Sequence, residues 1–215
     1  MMSGPDFFTA IRNGDEPALR RLVDRSPQLL TTRTAEGASP VLYALYARKP
    51  HLVPLLMAPG ARLDLYEACA VGDLAQVRRR LGEAPAESFS PDGFTPLGLA
   101  AYFGHYEVAV LLLQHGAHPA TPSNNKLAVA PLHSAVENGD PRLVRLLLQH
   151  HAPVDPVEFL GATPLHAAAV GGKRGIAEIL LAHGANRQAV TRDGKTPSQL
   201  AAQYGHKDLA AFLLE

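Results

Sequence analysis

The sequence predicts an all-α solenoid: short antiparallel helix pairs stacked in a line, with projecting turns between them. Three observations carry this. A Thr-Pro or Ala-Pro start, with a Gly nine residues after it, recurs at 95, 130, 163 and 196, so the copies lie 35, 33 and 33 residues apart. A second small-residue stop follows the first three starts at a common distance, as Gly116-Ala117, His151-Ala152 and Gly184-Ala185. The stretches between are apolar at helical spacing. Self-similarity at a fixed period of this length is the mark of stacked repeats.

The copy beginning at Thr163 is the cleanest, Thr163-Pro164-Leu165-His166-Ala167-Ala168-Ala169. Thr163 suits an N-cap, where its hydroxyl accepts from an orphan backbone N–H. Pro164 suits the first helical position, where a missing N–H costs nothing. Leu165, Ala168 and Ala169 give one small apolar face at helical spacing, over which neighbouring helices can approach closely. Gly172 closes the helix, because Gly takes a left-handed stop without strain. A second helix runs through Ile176, Ile179, Leu180 and Leu181 to Gly184. The polar stretch from Asn186 to Lys195 carries Asp193-Gly194, a turn signal.

Three segments make the chain resemble the ankyrin-repeat family, in its stand-alone bacterial type. They are Asp193-Gly194-Lys195-Thr196-Pro197, Gly104-His105-Tyr106-Glu107-Val108 and Leu111-Leu112-Leu113-Gln114-His115-Gly116-Ala117. The match is dense from about Ser90 onward and thinner upstream. The resemblance implies one ankyrin-repeat domain over 1–215, an all-α solenoid of about seven helix-turn-helix units with short β-turn fingers and degenerate ends. The units fall near 5–38, 39–62, 63–94, 95–129, 130–162, 163–195 and 196–215.

Taken in chain order, Asp6 to Asp15 matches a first helix and its stop. Ser39-Pro40 opens the second unit, with Gly60-Ala61 at the offset that separates Thr163 from Gly184. Leu65 to Asp73 opens the third. The starts at Ser39 and Leu63 are only 24 residues apart. Roughly one projecting turn is therefore missing, Asp64 caps the new helix directly, and a gap in the finger row is expected. The segment before Arg62 is expected to open more easily than the central repeats. Between Pro119 and Val129 a two-residue insertion lengthens another finger, with Asn124-Asn125-Lys126 near its tip.

Composition narrows the function. The 215 residues carry 20 Lys+Arg against 20 Asp+Glu. A neutral chain argues against a general nucleic-acid or anionic-membrane binder. Arg78-Arg79-Arg80 reads as a solvated helix face. The single cysteine, Cys69, excludes a disulfide framework and stands where the repeat places a small buried Ala. Met1 to Asp6 has no basic segment followed by an apolar core, and no apolar run approaches the roughly 20 residues that span a bilayer. A cytoplasmic location is the expectation.

The search for chemistry is mostly negative. His133 and His166 occupy the motif's own His position, which in the family hydrogen-bonds within and between repeats. His105 and His206 follow helix stops. His115, His150, His151 and His183 end second helices, where an imidazole suits the dipole. The pairs His115/His118 and His150/His151 lack the carboxylates or thiols that would complete a zinc shell. Ser134 beside His133 on a helix faces another way. No nucleophile elbow or phosphate loop is present, and the repeats consume the chain. No enzymatic activity, cofactor or metal is expected.

Recognition remains. In ankyrin-like stacks the first helices and fingers line a concave face, and the two residues before each stop point toward it. Those positions hold Tyr46 and Ala47, Ala70 and Val71, Tyr102 and Phe103, Glu137 and Asn138, Val170 and Gly171, and Gln203 and Tyr204. Aromatic residues there are the material of binding hot spots. Phe94, Leu127, Val129, Phe159 and Leu160 add apolar side chains on or near the fingers. The expected partner-binding set is Tyr46, Phe94, Tyr102, Phe103, Leu127, Glu137, Asn138, Phe159, Leu160, Val170, Gln203 and Tyr204. The expected function is a non-enzymatic adaptor, monomeric rather than dimeric, that binds a protein or peptide on this face, with no nucleic-acid or membrane partner. The alternatives are a self-associating structural protein whose aromatic face closes a homodimer, and a small-molecule or metal-binding scaffold.

Overall fold

The computed structural model describes residues 4–57, 62–83 and 85–215. Among them are fourteen α-helices and no strand. Consecutive helices pair: α1 (Gly4–Asn13) with α2 (Glu16–Arg25), α3 (Pro40–Tyr46) with α4 (Val53–Leu56), and α5 (Leu65–Val71) with α6 (Leu74–Arg80). Then come α7 (Pro96–Phe103) with α8 (Tyr106–Gln114), and α9 (Pro131–Asn138) with α10 (Pro141–Gln149). The last pairs are α11 (Pro164–Val170) with α12 (Arg174–Ala182), and α13 (Pro197–Gln203) with α14 (Lys207–Phe212). Short 3-10 turns at Pro27–Thr31 and Pro50–Leu52 complete the helical content. None of the described helices is long and apolar enough to cross a membrane.

The first helices stack in one row, α1, α3, α5, α7, α9, α11 and α13, each against the next. The second helices α6, α8, α10 and α12 form an outer row. Leu97, Leu112, Leu132, Leu147, Leu165 and Leu180 are buried among these elements and form a continuous apolar core. Proline opens α3, α7, α9, α11 and α13, as its fixed φ favours. The Thr95 hydroxyl accepts from Gly98 N at 3.0 Å and that of Thr196 from Gln199 N at 3.3 Å.

Thr163 caps α11 in a reciprocal box whose third-residue partner is His166. Its hydroxyl meets His166 Nδ1 at 2.9 Å, and its own N–H donates to the same nitrogen at 3.0 Å. His166 Nε2 lies 3.0 Å from Lys195 O, so Nε2 carries the proton and Nδ1 accepts.

Neighbouring first helices are tied end to end. His105 Nε2 donates to Ala70 O at 3.0 Å, Asn138 Nδ2 to Tyr102 O at 3.1 Å, and His206 Nε2 to Val170 O at 3.0 Å. Lys173 Nζ donates to Val136 O at 2.8 Å and Glu137 O at 2.7 Å. Each bond satisfies a helix-terminal carbonyl that lacks an intrahelical partner.

The fingers close alike. Thr34 N donates to Ala38 O at 3.0 Å, Ser90 N to Phe94 O at 2.9 Å, Glu158 N to Ala162 O at 3.1 Å and Thr191 N to Lys195 O at 3.0 Å. In the lengthened finger the closing bond runs from Ser123 N to Val129 O, two residues wider. A ladder joins the fingers: Asn124 N to Gly93 O, Phe159 N to Leu127 O and Arg192 N to Leu160 O, each 2.9 Å.

The junction before α5 corrects the expected gap. Asp64 does cap α5 directly, in a reciprocal box: Glu67 N donates to Asp64 Oδ1 at 2.8 Å and Asp64 N to Glu67 Oε2 at 3.0 Å. Burial, then the Asp64 charge, pushes the Glu67 carboxyl above its ordinary range. No finger stands between 62 and 65, and the proposed stop at Gly60-Ala61 lies outside the described residues. Yet the finger row is closed. A Cβ placed on Gly37 would sit 2.4 Å from Pro91 O, so the finger before α3 lies directly against the finger before α7. The ring of Tyr46 on α3 stacks on Phe103 of α7 at 5.7 Å, spanning the two helices that flank α5. The equivalent α5 residue, Ala70, is small and buried, so the rings on either side can meet.

Candidate functional site

Between the fingers and the first helices, from α7 to α13, runs an open groove of about 720 Å³. Its origin is legible by superposing the repeats. At one position of the first helices the side chains are Leu99, Ser134, Ala167 and Leu200 in turn. The small pair in the middle lowers the floor over α9 and α11, and the leucines close its ends. Fingers supply Phe94, Leu127, Val129, Glu158, Leu160 and Ala162. The last turns of the first helices supply Tyr46, Tyr102, Glu137 and Val170. His133 and His166 complete the floor.

The aromatic end is built on Tyr46. Its hydroxyl donates to Asp92 Oδ2 at 3.0 Å, and its ring lies 6.2 Å from Phe94 and 6.4 Å from Tyr102. Burial, reinforced by Asp92, pushes the Tyr46 phenol upward, so it stays a neutral donor. Tyr102 packs edge-on to Phe103 at 5.0 Å and remains 40% exposed. Phe103 is half-buried against the core. It lines, with Arg48, Glu137 and Asn138, a smaller depression of about 230 Å³ on the far side of Tyr102.

The two carboxylates on the groove come from opposite walls. Glu158 Oε1 accepts from Leu160 N at 2.9 Å and Ala162 N at 3.2 Å, which orders the finger tip. Glu137 is exposed on the last turn of α9. The imidazoles do not offset them. Burial holds His133 and His166 below the ordinary histidine range, so both are neutral at pH 7. His133 Nε2 bonds Ala162 O at 3.1 Å, while its buried Nδ1 has no hydrogen-bond partner among the described residues, because Ala130 stands where Thr163 serves His166.

Of the sequence-derived set, seven residues meet around the groove: Tyr46, Phe94, Tyr102, Leu127, Glu137, Leu160 and Val170. Phe103 and Asn138 border the smaller depression. Phe159 is turned to Arg192, whose guanidinium lies 4.7 Å from the ring centre. Gln203 and Tyr204 are exposed on α13 and its C-cap and line neither hollow. The sequence reading missed Ser134, Ala167 and Glu158. The first two were readable as small residues at a position that is Leu in flanking repeats. Glu158 offered no local signal.

The groove offers an apolar trough with acidic edges. Among the described residues no three His, Cys, Asp or Glu side chains gather as a metal site. Cys69 is fully buried, and burial pushes its thiol far up, so it is inert packing.

A family model of ankyrin repeats, in three copies, matches residues 65–158 and 132–215. Among curated proteins, ankyrin repeat domain-containing protein 13B of Mus musculus and its namesake in Homo sapiens are each 39% identical over 71 residues. That stretch is 33% of this chain and 11% of either relative, so the chain spans a small part of their length.

Proposed function

The chain belongs to the ankyrin-repeat family, and on that premise we propose that it is a non-enzymatic adaptor whose concave groove receives a protein or peptide segment. Repeats of this family mediate protein–protein interaction. The supporting observation is the groove itself: preformed, apolar, and walled by exposed Tyr102, Leu127 and Leu160 at 40%, 49% and 60% exposure. A monomeric fold has no need of large apolar side chains left open along one face. A rigid stack also spares the ordering cost of binding. On this reading the helix pairs are units of one domain, divided near 5–38, 39–62, 63–94, 95–129, 130–162, 163–195 and 196–215.

The test is selection of peptides from a random displayed library against the full chain, followed by affinity measurement on Ala167→Leu. Leucine at 167 copies Leu200 of the next repeat and fills the trough. Selected peptides should lose at least about 2 kcal/mol of binding, the scale of a hot spot. Peptides that bind Ala167→Leu undiminished would place recognition elsewhere.

A further inference from the structure

Resting on the adaptor reading, we propose that the occupant of the groove is an extended peptide segment that places a large apolar side chain in the trough and a Lys or Arg beside it. The trough over Ser134 and Ala167, between Leu127 and Leu160, takes the apolar anchor. Charge decides the rest. The side chains lining the groove that carry charge at pH 7 are Glu137 and Glu158, both acidic, and the two histidines there are neutral.

The two acids stand on facing walls. Glu137 lies on the helix wall, and its carboxylate makes no ion pair or hydrogen bond among the described residues. Glu158 lies on the finger wall and spends Oε1 on two backbone N–H groups, leaving Oε2 to accept. A cation entering between them is drawn by both. An anion meets two like charges along a low-dielectric wall, which raises the repulsion. Arg48, on the far side of Tyr102, supplies a positive charge to the smaller depression and so sets a direction along the groove.

Length follows from the stack. The groove crosses four first helices, from Leu99 on α7 to Leu200 on α13. Packed helices lie about 10 Å apart, which gives a span of about 30 Å. An extended chain rises about 3.3 Å per residue, so about nine residues fill it.

The test uses the full chain and three pools of nine-residue peptides, each with Leu, Phe or Met at the centre. Flanking positions are drawn from Lys and Arg, from Asp and Glu, or from Ser, Gly and Asn. Binding is read by fluorescence anisotropy. The basic pool should bind at least about fivefold tighter than the neutral pool, as one well-placed ion pair allows. The margin should shrink as salt is added. Glu137→Lys, which leaves one charge of each sign on the groove, should abolish the preference. Glu158→Gln, which keeps an oxygen for the finger, should narrow it. A neutral or acidic pool that binds wild type as tightly as the basic pool overturns the charge assignment and leaves the adaptor reading standing. No binding by any pool overturns both.

Discussion

The Tyr46 hydroxyl donates to Asp92 Oδ2 at 3.0 Å, joining the helix before the fingerless junction to the finger after it. This bond, with the Tyr46–Phe103 stack, closes a row that lacks one turn. Asp92 is buried, so a lost donor leaves a desolvated carboxylate short of one partner. Tyr46→Phe should therefore cost about 2 kcal/mol, as hydrogen bonds to charged groups do. Hydrogen-exchange protection should fall more near Tyr43 and Leu55 than near Leu147. Uniform protection after the change would mean the junction does not depend on this tie.

The Gly37–Pro91 contact has its own test. Gly37 and Gly194 occupy the same finger position with φ of 96° and 75°, so alanine is strained at both. A Cβ at Gly194 meets nothing within 4 Å, whereas at Gly37 it meets Pro91 O at 2.4 Å. Gly194→Ala should cost about 1 kcal/mol, the left-handed penalty alone. Gly37→Ala should cost about 2 kcal/mol more, on the scale of overpacking. Equal losses in urea denaturation would mean the two fingers do not touch.

Ala130 is the N-cap of α9 with φ −76° and ψ 155°, close to the −78° and 152° of Thr95, but it has no side-chain acceptor. Ala130→Thr should add a capping hydroxyl that also reaches the orphaned His133 Nδ1. A gain of about 1 kcal/mol is expected in chemical denaturation. No gain would mean that the buried site cannot accept the larger side chain.

Stability should depend on His133 and His166 in a window set by their direction of shift. Burial lowers both from 6.5. Above that pH both imidazoles are neutral in the folded and unfolded chain, and stability is independent of them. As pH falls through 6.5 toward the lower folded values, the unfolded chain takes up protons that the folded chain does not, and stability declines. The urea midpoint should be level from pH 8 to 7 and fall below about 6.5. His166→Gln can keep the capping role, since Gln199 accepts from Thr196 N at 3.0 Å. It should lower the midpoint at pH 7 by the loss of the Lys195 bond, yet flatten the fall below 6.5.

The helices were legible because their signals are local. Thr95-Pro96 and Gly104, or Asp64 before Leu65, state where a helix starts or stops within a few residues. The closed junction was not. Gly37 meets Pro91 and Tyr46 meets Asp92 across long stretches of chain, and nothing near either residue announces the partner. The groove was half legible. Residues before each stop pointed to Tyr102, Glu137 and Val170, but the trough comes from what Ser134 and Ala167 lack. Phe103 shares the position logic of Asn138 and Gly171, yet the short junction draws its ring into the Tyr46 stack.

The central claim, that the groove is a recognition surface and not leftover core, is tested most directly at Tyr102. It is 40% exposed and holds its neighbours through edge contacts with Phe103 and Tyr46. Tyr102→Ala should cost about 1 kcal/mol of folding stability, the value of such ring pairs. Half-buried Phe103→Ala, in the same assay, should cost about 3 kcal/mol. Binding of library-selected peptide to Tyr102→Ala should weaken by about 2 kcal/mol or more. Unchanged affinity together with a stability loss as large as that of Phe103→Ala would assign Tyr102 to the core and contradict the account.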